Sequence, residues 1–594
     1  MNIYKERVEK LRKLMRENNI DIYMVLTSDP HLSEYISEFY QTRAFMSGFT
    51  GSTGTLIVSQ KNAFLFTDGR YYLQAQRELL GSEIILEEQS ANHTFLKWLK
   101  KNCDKKTCVA TDFSVLPIYL KKELDENCKL IHKDLISAIW KQRPHLPKDE
   151  IYEHEAKFCS HTRTQKLRLV REKMAEFKAN IHLISSLDDI AWITNLRGKD
   201  IDFNPVFLSH LLIFKDKALL FVDKNKIDIK IQSKLEKDGI FIKKPNELQN
   251  ELKKLKNTIL LIQSSKTTAL ILTYLHSSVE IIDEINPSTL LKACKNDKEI
   301  AHIKEAMVED GVALCRFFAH LEENLAKNQK INEVDIDTKI TEFRAKSEFY
   351  ISNSFATIAG FNQNGAFVHY KADIKNCAKI KGNGLLLIDS GAQYKNGTTD
   401  ITRVVPIGKV NAKQKRDYTL VLKAHIGLAR AVFPQNITMS MLDSLARKTL
   451  WEQCLDYAHG TGHGVGYFLN VHEAPQSISC FSSSNTHNQA KEGMLSSIEP
   501  GIYRKNLWGI RLENLALNVK VKNPKEKGFG TFLCFETLTL CPFELKCIDK
   551  KMLSFEEKSW LNAYHQKVYE KLAPKLTKLD KKALKWLKAR TKAL

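Results

Sequence analysis

Four acidic side chains and one imidazole stand in short, punctuated stretches of the second half of the chain: Asp389, Asp400, His463, Glu499 and Glu513. Asp389 ends the apolar run Leu385-Leu386-Leu387-Ile388 and leads into Ser390-Gly391, while Asp400 follows Asn396-Gly397. Asn-Gly between two strand-like runs predicts a tight hairpin, because both residues tolerate the positive φ such a reversal needs. That hairpin brings together two carboxylates 11 positions apart (400 − 389). Two like charges held close are costly, so a cation belongs between them. His459-Gly460-Thr461-Gly462-His463-Gly464 sets two imidazoles among glycines, where backbone can approach closely. Glu499 precedes Pro500-Gly501, and Arg511 and Glu513 share one face of an alternating strand. Singly, each of these has an ordinary reading as a turn or a hydrogen-bonded strand end. Jointly they are a ligand set for two divalent cations, which two-metal hydrolases hold roughly 3.5–4 Å apart to act on one water. Oxygen ligands with one nitrogen favour Mn²⁺, with Zn²⁺, Co²⁺ or Fe²⁺ compatible.

The elements that must position these residues fall into several domains, since 594 residues exceed one ordinary core. A helix over residues 4–18 is followed by strands over 20–26, 54–58 and 63–67, a helix over 71–80 and a strand over 84–87. This alternation describes an α/β domain over residues 1–150, closed by Pro144, Pro147 and a charged linker. A second α/β domain covers 151–290, with strands over 181–184, 211–214 and 218–222. A strand, a charged turn and a strand ending in Asp occur in both (Phe64–Asp68 and Leu219–Asp223), which suggests two similar folds. Residues 291–545 form the domain that holds the acidic cluster, with helices over 297–321 and 440–455, the latter opened by a Ser440–Asp443 cap. Residues 546–594 read as a helical extension whose Trp560, Tyr564, Tyr569 and Trp586 are spaced to dock on the parent domain.

Composition narrows the function classes. The chain is 43 % apolar and 27 % charged, as in soluble globular proteins. No run of about 18 apolar residues occurs, and the first residues lack an apolar leader, so neither a spanning helix nor a secretory signal is expected. The 12 cysteines include no Cys-x-x-Cys pair, which fits reduced thiols in a cytoplasmic protein. A net charge of +21 is spread along the chain without a nucleic-acid-binding module, so neither nucleic acid nor membrane is expected as a partner.

Asp389-Ser390-Gly391, Thr398-Thr399-Asp400, His459-Gly460-Thr461-Gly462-His463-Gly464, Glu499-Pro500-Gly501 and Arg511-Leu512-Glu513-Asn514 resemble the signatures of the pita-bread metallopeptidases. Within that group they resemble the aminopeptidase P (Xaa-Pro aminopeptidase) family in its three-domain cytosolic form. Phe66-Thr67-Asp68-Gly69-Arg70-Tyr71 looks like the family's first domain, and Asp189-Ile190-Ala191-Trp192 through Arg197-Gly198 like its second. The resemblance implies an α/β and α+β multidomain chain: two creatinase-like α/β domains, then a pita-bread catalytic domain. It implies hydrolysis of the N-terminal Xaa-Pro bond, with Asp389, Asp400, His463, Glu499 and Glu513 as metal ligands and Asp400 and Glu513 bridging. Glu499 would also shuttle the proton, and His472 would hydrogen-bond the substrate near the cleaved bond. His369 and His459 would line the proline pocket, Arg511 would steady the ligand carboxylates, and Arg70 would bind substrate. A homodimer is also implied. An Xaa-Pro bond lacks the amide N–H and fixes φ, which is why a dedicated, rigid subsite is needed. Two departures stand out: Ser497-Ile498 precedes Glu499 where Thr-Asp is usual, and Thr537 replaces a proline. Neither is expected to touch a ligand. The alternatives are a prolidase restricted to Xaa-Pro dipeptides and a pita-bread module kept for binding alone.

Overall fold

Two six-stranded sheets with one strand order fill the first half of the chain. The computed structural model describes residues 2–90, 92–482, 487–524, 526 and 528–594. The first sheet comprises β1 (Ile22–Leu26), β2 (Thr55–Ser59), β3 (Ala63–Thr67), β4 (Ile85–Glu88), β5 (Cys108–Thr111) and β6 (Lys129–His132), ordered β4-β3-β2-β1-β5-β6. The second comprises β7 (Ile181–Ile184), β8 (His210–Ile213), β9 (Ala218–Phe221), β10 (Ile240–Lys243), β11 (Thr258–Ile262) and β12 (Val279–Asp283), ordered β10-β9-β8-β7-β11-β12. In both, the first three strands form an antiparallel meander and the outer pairs are parallel. The repeated strand-turn-strand pattern in the sequence therefore reflects one fold used twice. β1 reads Ile-Tyr-Met-Val-Leu and is buried at every position, as a strand covered on both faces must be. These sheets belong to one compact unit, Met1–His154 with His161–Ser288; Glu155–Ser160 with Thr289–Leu594 forms a second.

The second unit opens on α1 (Asp297–Ala326), started by a reciprocal cap between Asn296 and Glu299 and running past the expected end at Leu321. After α2 (Glu333–Arg344), β13 (Ile358–Phe361), β14 (Gly384–Ser390) and β15 (Ile401–Ile407) form a three-stranded antiparallel sheet. A six-stranded sheet joins β16 (Val432–Pro434), β17 (Gly462–Gly464), β18 (Glu473–Ile478), β19 (Leu495–Ile498), β22 (Asn514–Lys520) and β23 (Phe532–Thr537), in the order β16-β23-β22-β19-β17-β18. The hairpin β20 (Gly501–Arg504) and β21 (Trp508–Arg511) lies between β19 and β22 in sequence. α3 (Ala412–Ala429), α4 (Asp443–Trp451), α5 (Phe555–Leu579) and α6 (Lys581–Arg590) complete the unit. Leu561, Tyr564, Val568, Leu572 and Leu576 of α5 are buried in its core, and Trp586 stacks on Phe318 at 5.6 Å. The tail's aromatics thus dock on their own unit. Among the described residues no helix is long and apolar enough to cross a membrane.

Two local expectations need correction. The reversal between Asp389 and Asp400 pairs Tyr394 with Gly397, so Lys395 and Asn396 are its two turn residues. Neither Asn396 nor Gly397 adopts a left-handed backbone. The glycine that matters is Gly391, where a Cβ would sit 2.0 Å from the Thr399 carbonyl at the neck of the excursion. Ser440 does not cap a helix: Met439–Leu442 is a 3-10 turn and α4 begins at Asp443. The Asp443 carboxylate instead accepts from Arg447, Thr461 and the Cys480 amide, contacts that outcompete a local cap.

Candidate metal centre

Antiparallel pairing sets the first two carboxylates. Asp389 lies opposite Thr402 on β14 and β15, and Asp400 stands two residues before Thr402, so all three face the same side. His463 is the middle residue of β17, Glu499 follows β19, and Glu513 occupies the break between β21 and β22. That break corrects the expectation of one continuous strand through Arg511 and Glu513. The chain changes sheets there, and the Glu513 amide donates to the Thr402 carbonyl at 3.2 Å. Oxygen and nitrogen atoms of Asp400, His463 and Glu513 lie within 4.8 Å of one another. His463 Nε2 is 3.5 Å from both Asp400 Oδ2 and Glu499 Oε1. Asp389 Oδ2 is paired with Arg511, while Asp389 Oδ1 is buried without a hydrogen-bond partner.

The electrostatics of this cluster call for positive charge. Burial, reinforced by neighbouring carboxylates, raises Asp389 to about 6 and pushes Glu499 and Glu513 above the usual carboxylate range. Burial by itself would depress His463, yet Asp400 and Glu499 raise it to about 9. Its Nδ1 lies 2.9 Å from the Gly464 carbonyl, which only accepts, so Nδ1 carries a hydrogen and Nε2 faces the carboxylates. A proton or a metal cation can answer that demand. A buried, unsatisfied Asp389 oxygen beside three carboxylates and an imidazole nitrogen fits divalent metal.

Around the cluster runs a set of neutral partners that sequence reasoning missed. Thr402 Oγ1 donates to Glu513 Oε2 at 2.8 Å and accepts from Arg511 Nε at 3.2 Å. The Tyr503 oxygen accepts from Arg511 Nη1 at 2.7 Å, and its hydroxyl lies 2.9 Å from His459 Nε2. His459 Nδ1 lies 2.8 Å from the Gly460 carbonyl, so Nδ1 is the donor and Nε2 accepts from Tyr503. Ser497 Oγ accepts from the His463 amide at 3.0 Å and lies 3.3 Å from Glu499 Oε1. The departure at Ser497 therefore does touch a ligand position, contrary to expectation. Ser497 lies within a stretch already singled out, and Tyr503 just beyond one. Their partners are 34 to 44 residues away or across a strand, and no spacing rule reaches them.

The histidines are placed unevenly. The His472 ring lies edge-on to His463 at 4.3 Å, and the neighbouring Glu473 is buried against Lys295 with Lys292 Nζ 3.6 Å away. His369 follows the 3-10 turn Asn362–Ala366, next to Val368, whose carbonyl is 3.4 Å from Arg511 Nη1. Arg70 lies in the first unit, where Asp68 holds its guanidinium through contacts of 2.8 and 2.7 Å.

Residues 301–519 match Metallopeptidase family M24, and 531–594 match the C-terminal region of that peptidase. Residues 7–144 and 142–299 each match the Creatinase/Prolidase N-terminal domain. A probable Xaa-Pro aminopeptidase P of Coprinopsis cinerea is 36% identical over 99% of this chain and 98% of its own. The chain belongs to metallopeptidase family M24. Another relative, Xaa-Pro aminopeptidase 1 of Dictyostelium discoideum, is 37% identical over 99% of this chain and 96% of its own. The crystal structure of the X-prolyl aminopeptidase of Caenorhabditis elegans, a cytosolic enzyme with a di-nuclear active site, superposes with a TM-score of 0.94. It is 30% identical and covers 100% of both chains. The M24 chain thus carries two creatinase N-terminal domains ahead of a pita-bread catalytic domain.

Proposed function

We propose that this chain is a metal-dependent aminopeptidase that hydrolyses the N-terminal Xaa-Pro bond of peptides. The observation that carries the reading is the grouping of Asp400, His463 and Glu513 beside an Asp389 oxygen that has no hydrogen bond. Asp389, Asp400, His463, Glu499 and Glu513 would hold two divalent ions, with Mn²⁺ the proposed metal. When bound, such ions lower the pKa of a water and polarise the scissile carbonyl.

The chain's own residues supply the rest. Glu499, whose carboxyl is raised by burial, is suited to take a proton from the attacking water and deliver it to the leaving proline nitrogen. His472 hydrogen-bonds the substrate near the cleaved bond. His459 has both nitrogens engaged, so it presents a ring wall to the proline. His369 forms a second wall of that pocket. Arg511 ties the ligand Asp389 to Thr402 and Tyr503, so one guanidinium holds the metal side and the pocket side together. A cytoplasmic homodimer is part of the same proposal.

The deciding assay offers Xaa-Pro, Xaa-Pro-Yaa and proline-free peptides to the Mn²⁺-loaded protein. Release of the first residue from Xaa-Pro-Yaa is expected. Cleavage of the dipeptide alone would make it a prolidase, and no turnover with any divalent metal would refute the enzyme.

A further inference from the structure

Glu333, outside the metal cluster, is a buried carboxylate that gathers the chain on both sides of His369. It opens α2 and has no exposed surface. Its Oε1 accepts from the Phe361 amide at 2.6 Å and from Asn364 Nδ2 at 3.0 Å. Its Oε2 accepts from the Ala378 amide at 2.7 Å, the Tyr370 hydroxyl at 2.8 Å and Asn364 Nδ2 at 3.0 Å. Each of these partners is a neutral donor. A carboxylate buried this way is held by the number of its hydrogen bonds and by its place in the first turn of a helix. Glutamine cannot replace it: one of its two oxygen positions becomes an NH₂ group facing further donors.

The geometry of the loop makes this arrangement informative. The donors run from residue 361 to 378, and Tyr370 directly follows His369. On the other side of His369, the Val368 carbonyl lies 3.4 Å from Arg511. Three glycines bring the base of the loop against its neighbours. A Cβ on Gly509 would lie 1.7 Å from the Gly365 carbonyl, and one on Gly360 would lie 2.6 Å from the Gly365 nitrogen. The loop is therefore fixed at its base by backbone contact and drawn together across His369 by one buried carboxylate.

We propose that Glu333 is a positioning residue for His369, and through it sets how tightly the pocket grips proline. The inference rests on the reading of His369 as a pocket wall. Its test is a double-mutant cycle on the Mn²⁺-loaded full chain, using E333Q, Y370F, H369A and the two combinations with H369A, read by kinetics on an Xaa-Pro-Yaa peptide and by metal content. E333Q is expected to raise KM about 10- to 100-fold with a smaller change in kcat and unchanged metal content. Y370F, which removes one donor, should raise KM about fivefold. In the H369A background either change should add less than about twofold. Losses that multiply in the double variants, loss of metal, or wild-type kinetics in E333Q would each overturn the inference. Should E333Q not fold, the Y370F cycle decides by the same criterion. An H369A variant with full activity would overturn the pocket reading itself; an impaired H369A with multiplying losses overturns only the role of Glu333.

Discussion

His182, at the centre of the second sheet, and His463, in the acidic cluster, show what two environments do to one side chain. His182 is buried among apolar strands, its Nδ1 3.0 Å from the Leu261 carbonyl, and burial pulls it down to about 4. His463 sits among carboxylates that overcome the same penalty and lift it to about 9. The first is a neutral packing residue that excludes charge. The second belongs to an acidic cluster that calls for positive charge, with Asp389 and Glu513 raised for want of it. His182 is fully buried and His463 partly exposed, yet the neighbouring carboxylates decide which histidine can serve a metal.

The sharpest way to break this contrast is Asp400→Ala. It should remove metal from the cluster and lower turnover by at least about a thousandfold, given the several kcal/mol that metal ions contribute; metal analysis and kinetics check both. Tyr503→Phe leaves all five ligand positions intact but frees His459 and one arm of Arg511. A loss of about 10- to 100-fold in kcat/KM with metal retained is expected.

On the packing side, His182 has a folded pKa below its unfolded value of about 6.5. The unfolded chain therefore takes up the proton first. Its contribution is fully present above pH 6.5 and is lost as pH falls toward about 4. His31, also lowered to about 4 by burial, acts in the same direction. Urea midpoints measured between pH 7.5 and 5 should fall, and His182→Leu should flatten the slope by at most about 1.4 kcal/mol per pH unit. The smallest effect expected is that of Ser497→Ala, about fivefold in kcat/KM for one lost neutral hydrogen bond.

Much of this was legible in the sequence. Apolar runs ending in Asp389, and glycines around His463, mark strand ends where backbone and side chains converge. The doubled strand-turn-strand pattern announced two like sheets. What escaped depends on contacts between distant segments. No sequence motif marks Glu333, whose five hydrogen bonds reach residues 28 to 45 positions away. Lys292 and Lys295 are buried together at Glu473, far off in sequence. Asp443 read as a capping partner because local propensity says so, and tertiary partners claimed it instead. The turn was expected one residue too late: Lys395 and Asn396 make it, Gly397 already pairs with Tyr394, and neither turn residue needs a positive φ.

The central claim is that the acidic cluster holds two metal ions that act on Xaa-Pro peptides. Metal-stripped protein titrated with Mn²⁺ while the release of the first residue of an Xaa-Pro-Yaa peptide is followed tests it most directly. The account predicts activity rising to a plateau at two ions per chain and absent in the stripped protein. Full activity after complete removal of metal would contradict it.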